Sequence, residues 1–173
     1  LLMLGIWGGE DERWPLAGGA FALAALSKET ALVTVAGYLA YLLLRRRWRA
    51  LGWIGALAGL PFVAWQIVLR LWLGEWGVGS GGAGATPFEI IPFGGLLRIA
   101  QHSLAVFALY LVILGPLLVG PIVAATVAGL RALWREGPHQ FTFVLLAQCA
   151  ALIFLPFSTW REMLAMARLS VGF

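Results

Sequence analysis

The stretch that decides the fold is Trp14–Leu44, "WPLAGGAFALAALSKETALVTVAGYLAYLLL". Two apolar runs in it are separated by a single polar tetrapeptide, Ser27-Lys28-Glu29-Thr30. The runs are continuously apolar rather than alternating, which is typical of buried or lipid-facing helices and not of half-exposed strands. The question that the stretch raises is why a Lys-Glu pair interrupts it.

The composition of the whole chain places it in a membrane. Of its 173 residues, 61% are hydrophobic and 12% are charged, whereas soluble domains carry about 25% charged residues. Several runs reach the roughly 20 residues that cross a bilayer core, and continuous runs exclude a β-barrel. We therefore predict an all-α fold: a polytopic transmembrane helix bundle, one domain over residues 1–173, in the cell membrane.

The two runs beside the Lys-Glu pair are short for a membrane span. Each has about 13 or 14 residues, or about 20 Å of helix, against a bilayer core of roughly 30 Å. Two arrangements fit this length. In one, a short helical hairpin has its tip at Lys28 and Glu29, below the outer surface, and Ser27 or Thr30 caps a helix end. In the other, a single helix passes through with the ion pair near mid-bilayer. We favour the hairpin.

The topology follows from the arginine cluster Arg45–Arg49, "RRRWR". Basic clusters beside a span lie on the cytoplasmic side, and the other segments alternate from there. The predicted spans are 14–27, 30–44, 51–73, 99–130 and 141–157, with cytoplasmic loops at 45–50 and 131–140 and a Gly/Pro-rich outer loop at 74–95.

The fourth span, 99–130, is longer than a crossing needs. Its Gly115-Pro116 and Gly120-Pro121 pairs predict a tilt or a kink. The alternative is a true turn at these residues, which would make two short helices and reverse the later topology. That alternative puts Arg131 and Arg135 outside, against the charge rule.

Several cationic residues fall at the outer ends of spans, where the charge rule disfavours them. Ionisable groups at membrane depth cost a few kcal/mol and usually face a protein interior or a wet cavity. Arg70 is four residues after Gln66, and His102 is four after Arg98, so each pair shares a helix face. Arginine binds phosphate well because its planar group offers a fork of donors. The candidate phosphate-binding residues are Lys28, Glu29, Arg70, Arg98, His102, Arg161, Glu162 and Arg168.

Simpler interpretations of the same residues stand beside this one. Arg70 and Arg98 can extend to lipid headgroups from their helix ends. Lys28 and Glu29 can form a structural ion pair, and the loop carboxylates Glu75 and Glu89 are expected to be solvated. The net charge of +4 lies at the ends of apolar segments, so lipids and not nucleic acids are the expected partners. Two histidines and one cysteine, far apart, make no metal pattern, and no cofactor is identified.

Three stretches resemble one family. "ALAALSKETALVTVAGYLAYLLLRRRWRA" resembles the Lys-Glu segment of GT-C superfamily membrane glycosyltransferases, among which are protein O-mannosyltransferases and lipid A aminoarabinose transferases. "GSGGAGATPFEIIPFGGLLRIA" and "PFSTWREMLAMARLS" also look like bacterial transferases of that type. The resemblance implies a helical enzyme with a polyprenyl-phosphate sugar as donor and a site at the outer face of the bacterial inner membrane.

The resemblance also implies roles for particular residues. Lys28 and Glu29 would lie by the donor phosphate, and Arg161 and Arg168 would hold it. The family's catalytic carboxylate lies in a first outer loop that this chain lacks, so we expect an internal or C-terminal piece of a longer enzyme. Met163 stands where relatives carry proline, which weakens the assignment of Arg161 and Glu162. The rival hypotheses are a transporter or flippase component for a lipid-linked substrate and a non-catalytic membrane scaffold.

Overall fold

The computed structural model describes residues 1–28, 30–77 and 86–161. These residues form eight helices and no strand, which confirms the all-α prediction for this part of the chain. The helices are α1 Leu2–Glu10, α2 Trp14–Ser27, α3 Ala31–Leu44, α4 Trp48–Leu73, α5 Gly94–His102, α6 Leu104–Glu136, α7 Gln140–Ile153 and α8 Phe157–Arg161.

The chain divides into two compact units. The first contains Leu1–Ser80 and Gly129–Ala147, and the second contains Gly81–Ala128 and Gln148–Phe173. Each unit has its own hydrophobic core. The first core is built around Phe21, Tyr38 and Ile54, and the second around Trp160.

In the first unit the chain reverses direction at Lys28. The rings of Phe21 on α2 and Tyr38 on α3 lie 5.4 Å apart between centroids. In one straight helix these residues would be separated by about 25 Å, at 1.5 Å per residue. The helices α2 and α3 are therefore antiparallel, and the hairpin is the arrangement that forms.

The turn of this hairpin is closed by backbone hydrogen bonds rather than by the predicted caps. Lys28 is extended (φ −154°, ψ 122°), and its carbonyl accepts a hydrogen bond from the Ala31 N–H at 3.0 Å. The Ser27 hydroxyl donates back to the Leu23 carbonyl at 2.7 Å. Thr30 makes no side-chain cap to α3, so the prediction that Ser27 or Thr30 caps a helix end is wrong. Serine donates to the carbonyl one turn back instead, which is a common alternative for a hydroxyl near a helix end.

Small residues let the helices of the first unit approach closely. A Cβ on Gly5 would lie 2.6 Å from the Phe21 ring, and a Cβ on Gly9 would overlap the Tyr38 hydroxyl. On α2, a Cβ on Gly18 would lie 2.6 Å from Leu57 of α4. Gly5 and Gly9 are four residues apart on one face of α1. Small residues at this spacing are typical of helices packed in lipid, where close contact replaces the hydrophobic drive.

Three loops of the first unit lie at the same end. The Gln140 side-chain amide donates a hydrogen bond to the Glu10 carboxylate, which joins the start of α7 to the end of α1. The reversals after α1, α3 and α6 therefore share this end, which is opposite to Lys28. The arginines found there are Arg13, Arg45, Arg46, Arg47, Arg49, Arg131 and Arg135. Four carboxylates lie at this end too, those of Glu10, Asp11, Glu12 and Glu136, but the seven arginines outnumber them, so the first unit has one basic end.

Two helices, α4 and α6, are long and apolar enough to cross a membrane. They have 26 and 33 residues, and only 17% and 11% of their most apolar windows are buried. A core helix of a soluble protein would be mostly buried. The low burial leaves their apolar surfaces exposed, as lipid-facing helices require.

The helix α6 differs in its bounds from the predicted span 99–130. It begins at Leu104, because Ser103 is extended and its hydroxyl accepts from the Val106 N–H at 3.4 Å as an N-cap. It ends at Glu136, so Arg131 and Arg135 lie in its last turns and not in a loop over 131–140. Basic residues close to a helix C-terminus are stabilised by the helix dipole, which lets the helix continue through them.

The Gly-Pro pairs do not break α6. Residues Gly115–Val119 form a π-helical segment, in which the Gly120 N–H donates to the Gly115 carbonyl. This wider turn accommodates prolines that cannot donate to the ordinary i−4 carbonyl. The alternative with two separate short helices is therefore wrong, because the helix is continuous.

Candidate functional site

The depth of Lys28 along the first unit can be read from helix register. Leu39 of α3 lies beside Gly55 of the antiparallel α4, and Gly18 of α2 lies beside Leu57 of the parallel α4. Lys28 is 11 residues before Leu39, which corresponds to 11 residues after Gly55 on the antiparallel α4. It is 10 residues after Gly18, which corresponds to 10 residues after Leu57. Both counts place the hairpin tip at the level of residues 66–67 of α4. Since α4 continues to Leu73, the tip stops roughly 10 Å short of the end of α4, at 1.5 Å per residue. Lys28 itself is exposed at this tip.

Arg70 lies about one turn of α4 beyond the level of Lys28. Its guanidinium donates to the Gly74 carbonyl at the end of its own helix, where Gly74 takes a left-handed conformation (φ 78°). Gln66, one turn before Arg70, is 7% exposed. Lys28 and Arg70 therefore lie near one level of the first unit, although Arg70 also serves as a cap for its own helix.

In the second unit, Arg98 and His102 share one face of α5, as their spacing predicts. The His102 Nδ1 lies 3.0 Å from the Arg98 carbonyl, which can only accept, so Nδ1 carries the hydrogen of this bond. The imidazole stacks on the Phe157 ring of α8 with 5.6 Å between centroids. This fixes the ring orientation of His102.

Arg98 is paired with a carboxylate. Its guanidinium lies 3.0 Å from Glu89, whose side chain is 16% exposed while that of Arg98 is 51% exposed. The expectation that Glu89 is solvated is therefore wrong. The reason is local: the Glu89 N–H donates to the Phe154 carbonyl at 3.1 Å, which holds this residue against the end of α7. Half of the Arg98 side chain remains open to an anion.

Arg161 ends α8 and is held through its backbone. Its carbonyl accepts a hydrogen bond from the Tyr110 hydroxyl at 3.1 Å, and its side chain is exposed. Arg161 is four residues after Phe157, so the two share a face of α8. Because Phe157 stacks on His102, the exposed groups of Arg98, His102 and Arg161 belong to one surface of the second unit.

The fully buried Trp160 positions α8 against α5. Its ring meets Phe93 edge-on, at 6.3 Å between centroids, and it lies directly against Gly95. Its indole N–H has no hydrogen-bond partner among the residues that the structure describes. Sequence reasoning missed this anchor, because only the tertiary contact of Trp160 with Gly95 reveals it.

The loop before α5 is attached to α8 by a reciprocal pair of hydroxyl contacts. The Ser158 N–H donates to Thr86 Oγ1 at 3.0 Å, and the Thr86 N–H donates to Ser158 Oγ at 3.2 Å. This pair and the Phe93 N–H, which donates to the Ile153 carbonyl at 2.8 Å, hold residues 86–93 over the end of α7.

We expect Thr86→Val to lower the free energy of unfolding by about 1 kcal/mol, because the Ser158 N–H loses its acceptor. Denaturant unfolding of the detergent-solubilised chain measures this loss. Thr126→Val is the matched control, since the Thr126 hydroxyl only donates back to the Ile122 carbonyl of its own helix. Equal losses in the two variants would contradict the capping role of Thr86.

The predicted site residues thus fall into two groups and a remainder. Lys28 and Arg70 belong to the first unit, and the surface of Arg98, His102 and Arg161 belongs to the second. Glu29, Glu162 and Arg168 lie outside the described residues, so their predicted roles stay predictions.

Known proteins and metal chemistry add no further assignment. No family model, curated protein or solved structure matches the chain. Over residues 1–28, 30–77 and 86–161, no group of three His, Cys, Asp or Glu side chains is placed to hold a metal ion.

Proposed function

We propose that the chain is part of an integral membrane glycosyltransferase of the GT-C type. It would bind a polyprenyl-phosphate sugar and support transfer of the sugar to an acceptor at the outer face of the bacterial inner membrane. The observation that carries the proposal is the position of Lys28: a cation at the tip of a short apolar hairpin, roughly 10 Å short of the end of the long apolar helix α4.

Membrane insertion is supported by three features of the helices. The helices α4 and α6 are long, apolar and mostly exposed. Helices of the first unit pack through glycines such as Gly5, Gly9 and Gly18, as helices in lipid do. The basic end of the first unit supplies the charge asymmetry that orients such helices, with that end in the cytoplasm. On this orientation Lys28 and Arg70 face the outer leaflet.

The depth of Lys28 favours a phosphate on a lipid over a soluble anion. If α4 spans the bilayer, a tip that stops short of its end lies below the headgroup surface. A cation there has lost much of its water and is stabilised by an opposite charge. A polyprenyl phosphate delivers such a charge from within the membrane. A cation that lies below the headgroup surface and is approached through the apolar part of the bilayer therefore suits a polyprenyl phosphate.

The chemistry of transfer assigns the cations a definite task. An acceptor hydroxyl attacks the anomeric carbon of the sugar, the bond from that carbon to the phosphate oxygen breaks, and the lipid phosphate leaves with the bonding electrons. A carboxylate takes the proton of the hydroxyl. Lys28 would stabilise the charge that develops on the leaving phosphate.

The proposal predicts that Lys28→Gln weakens binding of a polyprenyl phosphate by about 10- to 100-fold. This range corresponds to the loss of a charge-assisted hydrogen bond of about 1.5–3 kcal/mol. The measurement is a titration of the chain in lipid nanodiscs. Arg135→Gln is the matched control, since it removes one positive charge from the opposite end of the first unit, and its affinity should equal that of the unsubstituted chain.

Two results would overturn the proposal. One is an unchanged affinity of Lys28→Gln for the polyprenyl phosphate. The other is equal binding of the corresponding polyprenol, which has the same chain but lacks the phosphate. Either result would mean that the apolar chain, and not the anionic head, is what the protein binds.

A further inference from the structure

An open cavity of about 450 Å³ lies at the basic end of the first unit. The loop between α1 and α2 forms one wall, and the loop between α3 and α4 with the first turn of α4 forms the other. Its lining is unusually rich in guanidinium groups and indole rings. The principal lining residues are Glu12, Trp14, Arg46, Arg47, Trp48 and Arg49.

Among the described residues, no carboxylate oxygen lies within 4.0 Å of the guanidinium nitrogens of these arginines, although Glu12 also lines the cavity. In the part of the chain that the structure describes, the ion pair that forms is Arg98 with Glu89, in the other unit. Arg46, Arg47 and Arg49 are all exposed. The lining carries these three positive charges and the single negative charge of Glu12, so its net charge is positive and favours an anion in the cavity.

The start of α4 adds further donors. The first backbone hydrogen bond at the start of α4 runs from the Leu51 N–H to the Arg47 carbonyl. The backbone N–H groups of Trp48, Arg49 and Ala50 precede it and belong to the first turn, where a helix has no carbonyls of its own to offer them. Such N–H groups, together with the positive end of the helix dipole, favour a phosphate group.

Two charged residues of the cavity occupy backbone positions that favour glycine. Glu12 and Arg46 have φ of 58° and 53°. Each of these residues lies just after the end of a helix. The N–H of the residue that follows it donates to the carbonyl five residues back, from Arg13 to Gly8 and from Arg47 to Leu42. Glycine is the usual residue at this position, and the chain itself has Gly137 (φ 82°) after α6. Charged side chains therefore occupy these two positions at a conformational cost.

We propose that this cavity binds a phosphate-bearing anion: the headgroup of an anionic phospholipid or a soluble phosphate ester. The arginines and the first turn of α4 bind the phosphate oxygens. Glu12 accepts hydrogen bonds from hydroxyl groups next to the phosphate, which favours a hydroxylated head such as glycerol. The site is distinct from the Lys28 tip, since it lies at the opposite end of the first unit.

The test is calorimetric titration of the whole chain in a neutral detergent. The probes are dihexanoyl phosphatidylglycerol, dihexanoyl phosphatidylcholine and inorganic pyrophosphate. We expect phosphatidylglycerol to bind at least tenfold more tightly than phosphatidylcholine, which has the same chains but a cationic head. If pyrophosphate binds as tightly as phosphatidylglycerol and through the same arginines, the natural ligand is a soluble phosphate ester; if it binds far more weakly, the ligand is a lipid.

Arg46→Gly separates binding from folding. Glycine suits the left-handed backbone at this position, so the melting temperature should stay the same or rise while the affinity for phosphatidylglycerol falls at least fivefold. The triple variant Arg46→Gly, Arg47→Gln, Arg49→Gln should abolish binding. Arg131→Gln with Arg135→Gln removes charge from the same end of the unit but not from the cavity, and it should leave the affinity unchanged.

The proposal fails if any of the following results is found. The first is equal affinity for phosphatidylglycerol and phosphatidylcholine, with no binding of pyrophosphate. The second is an unchanged affinity in Arg46→Gly, or the same loss in the Arg131 and Arg135 control as in the triple variant, which would reduce the effect to total charge.

Discussion

Gly95→Ala is expected to destabilise the second unit by roughly 2–3 kcal/mol, which is a large effect for the addition of one methyl group. The new Cβ would lie 2.6 Å from Cδ1 of Trp160 and 2.9 Å from both the Leu155 carbonyl oxygen and the Phe157 nitrogen. Trp160 is completely buried, so its ring has no open space to enter. The other two atoms are backbone, so relief requires α5 and α8 to separate.

Thermal unfolding in detergent measures this effect as a fall in melting temperature of roughly 4–12 °C. Gly52→Ala on α4 is the control, because outside its own helix nothing lies within 4 Å of the Cβ that it would add. That variant should be neutral or slightly stabilising, since alanine favours a helix over glycine. Similar falls in both variants would contradict the tight contact of Gly95 with Trp160.

Gly95→Ala also tests whether the candidate surface of the second unit depends on this packing. His102 is stacked on Phe157, and Phe157 belongs to the helix that Trp160 anchors. Separation of α5 from α8 would therefore release the imidazole. We expect the variant to lose the ordered arrangement of Arg98 and His102 even where the rest of the unit stays folded.

The hairpin could be predicted from the sequence because the information is local. Two apolar runs of a fixed length are separated by a polar tetrapeptide, and helix rise sets how far each can reach. The tightness of the contacts was not predictable. Gly9 beneath the Tyr38 hydroxyl is one example, since residues 29 positions apart are brought together only when the helices pack.

The helix bounds in the second half of the chain were predicted less well. There, single residues set where a helix begins or ends, against the hydropathy pattern around them. Ser103 is one polar residue in an apolar run, yet its cap separates α5 from α6. Arg131 and Arg135 suggested a loop, but the helix continues through them. In each case the hydropathy pattern was right about the location of apolar surface and wrong about the helix boundary.

For the candidate site, spacing predicted what lies within one helix and missed what lies between segments. Arg98 and His102 were paired correctly, because a helix brings residues four apart onto one face. The ion pair of Arg98 with Glu89 was missed, since Glu89 is in an irregular loop whose backbone is held by Phe154. A sequence pattern carries no signal for such a contact.

Glu89 and Arg98 lead to the second large effect, which has opposite signs in two variants. If the Arg98 guanidinium binds a polyprenyl phosphate at the surface of the second unit, Glu89 competes with that phosphate for it. Arg98→Gln should then weaken binding of a polyprenyl phosphate about tenfold or more, the range of one charge-assisted bond. Glu89→Gln should tighten binding severalfold, because the guanidinium no longer has a carboxylate 3.0 Å away.

The test is a titration with polyprenyl phosphate in nanodiscs. It compares Arg98→Gln, Glu89→Gln, the variant with both substitutions, and Glu75→Gln. Glu75 is an exposed carboxylate after α4, so its removal controls for a general increase in positive charge and should change little. The double variant should bind like Arg98→Gln, since Glu89 acts through Arg98. Stability should stay within about 1 kcal/mol in all four, because the pair is partly exposed. If Glu89→Gln and Glu75→Gln tighten binding equally, the phosphate responds to net charge alone, and Arg98 is a solvated arginine with a structural partner.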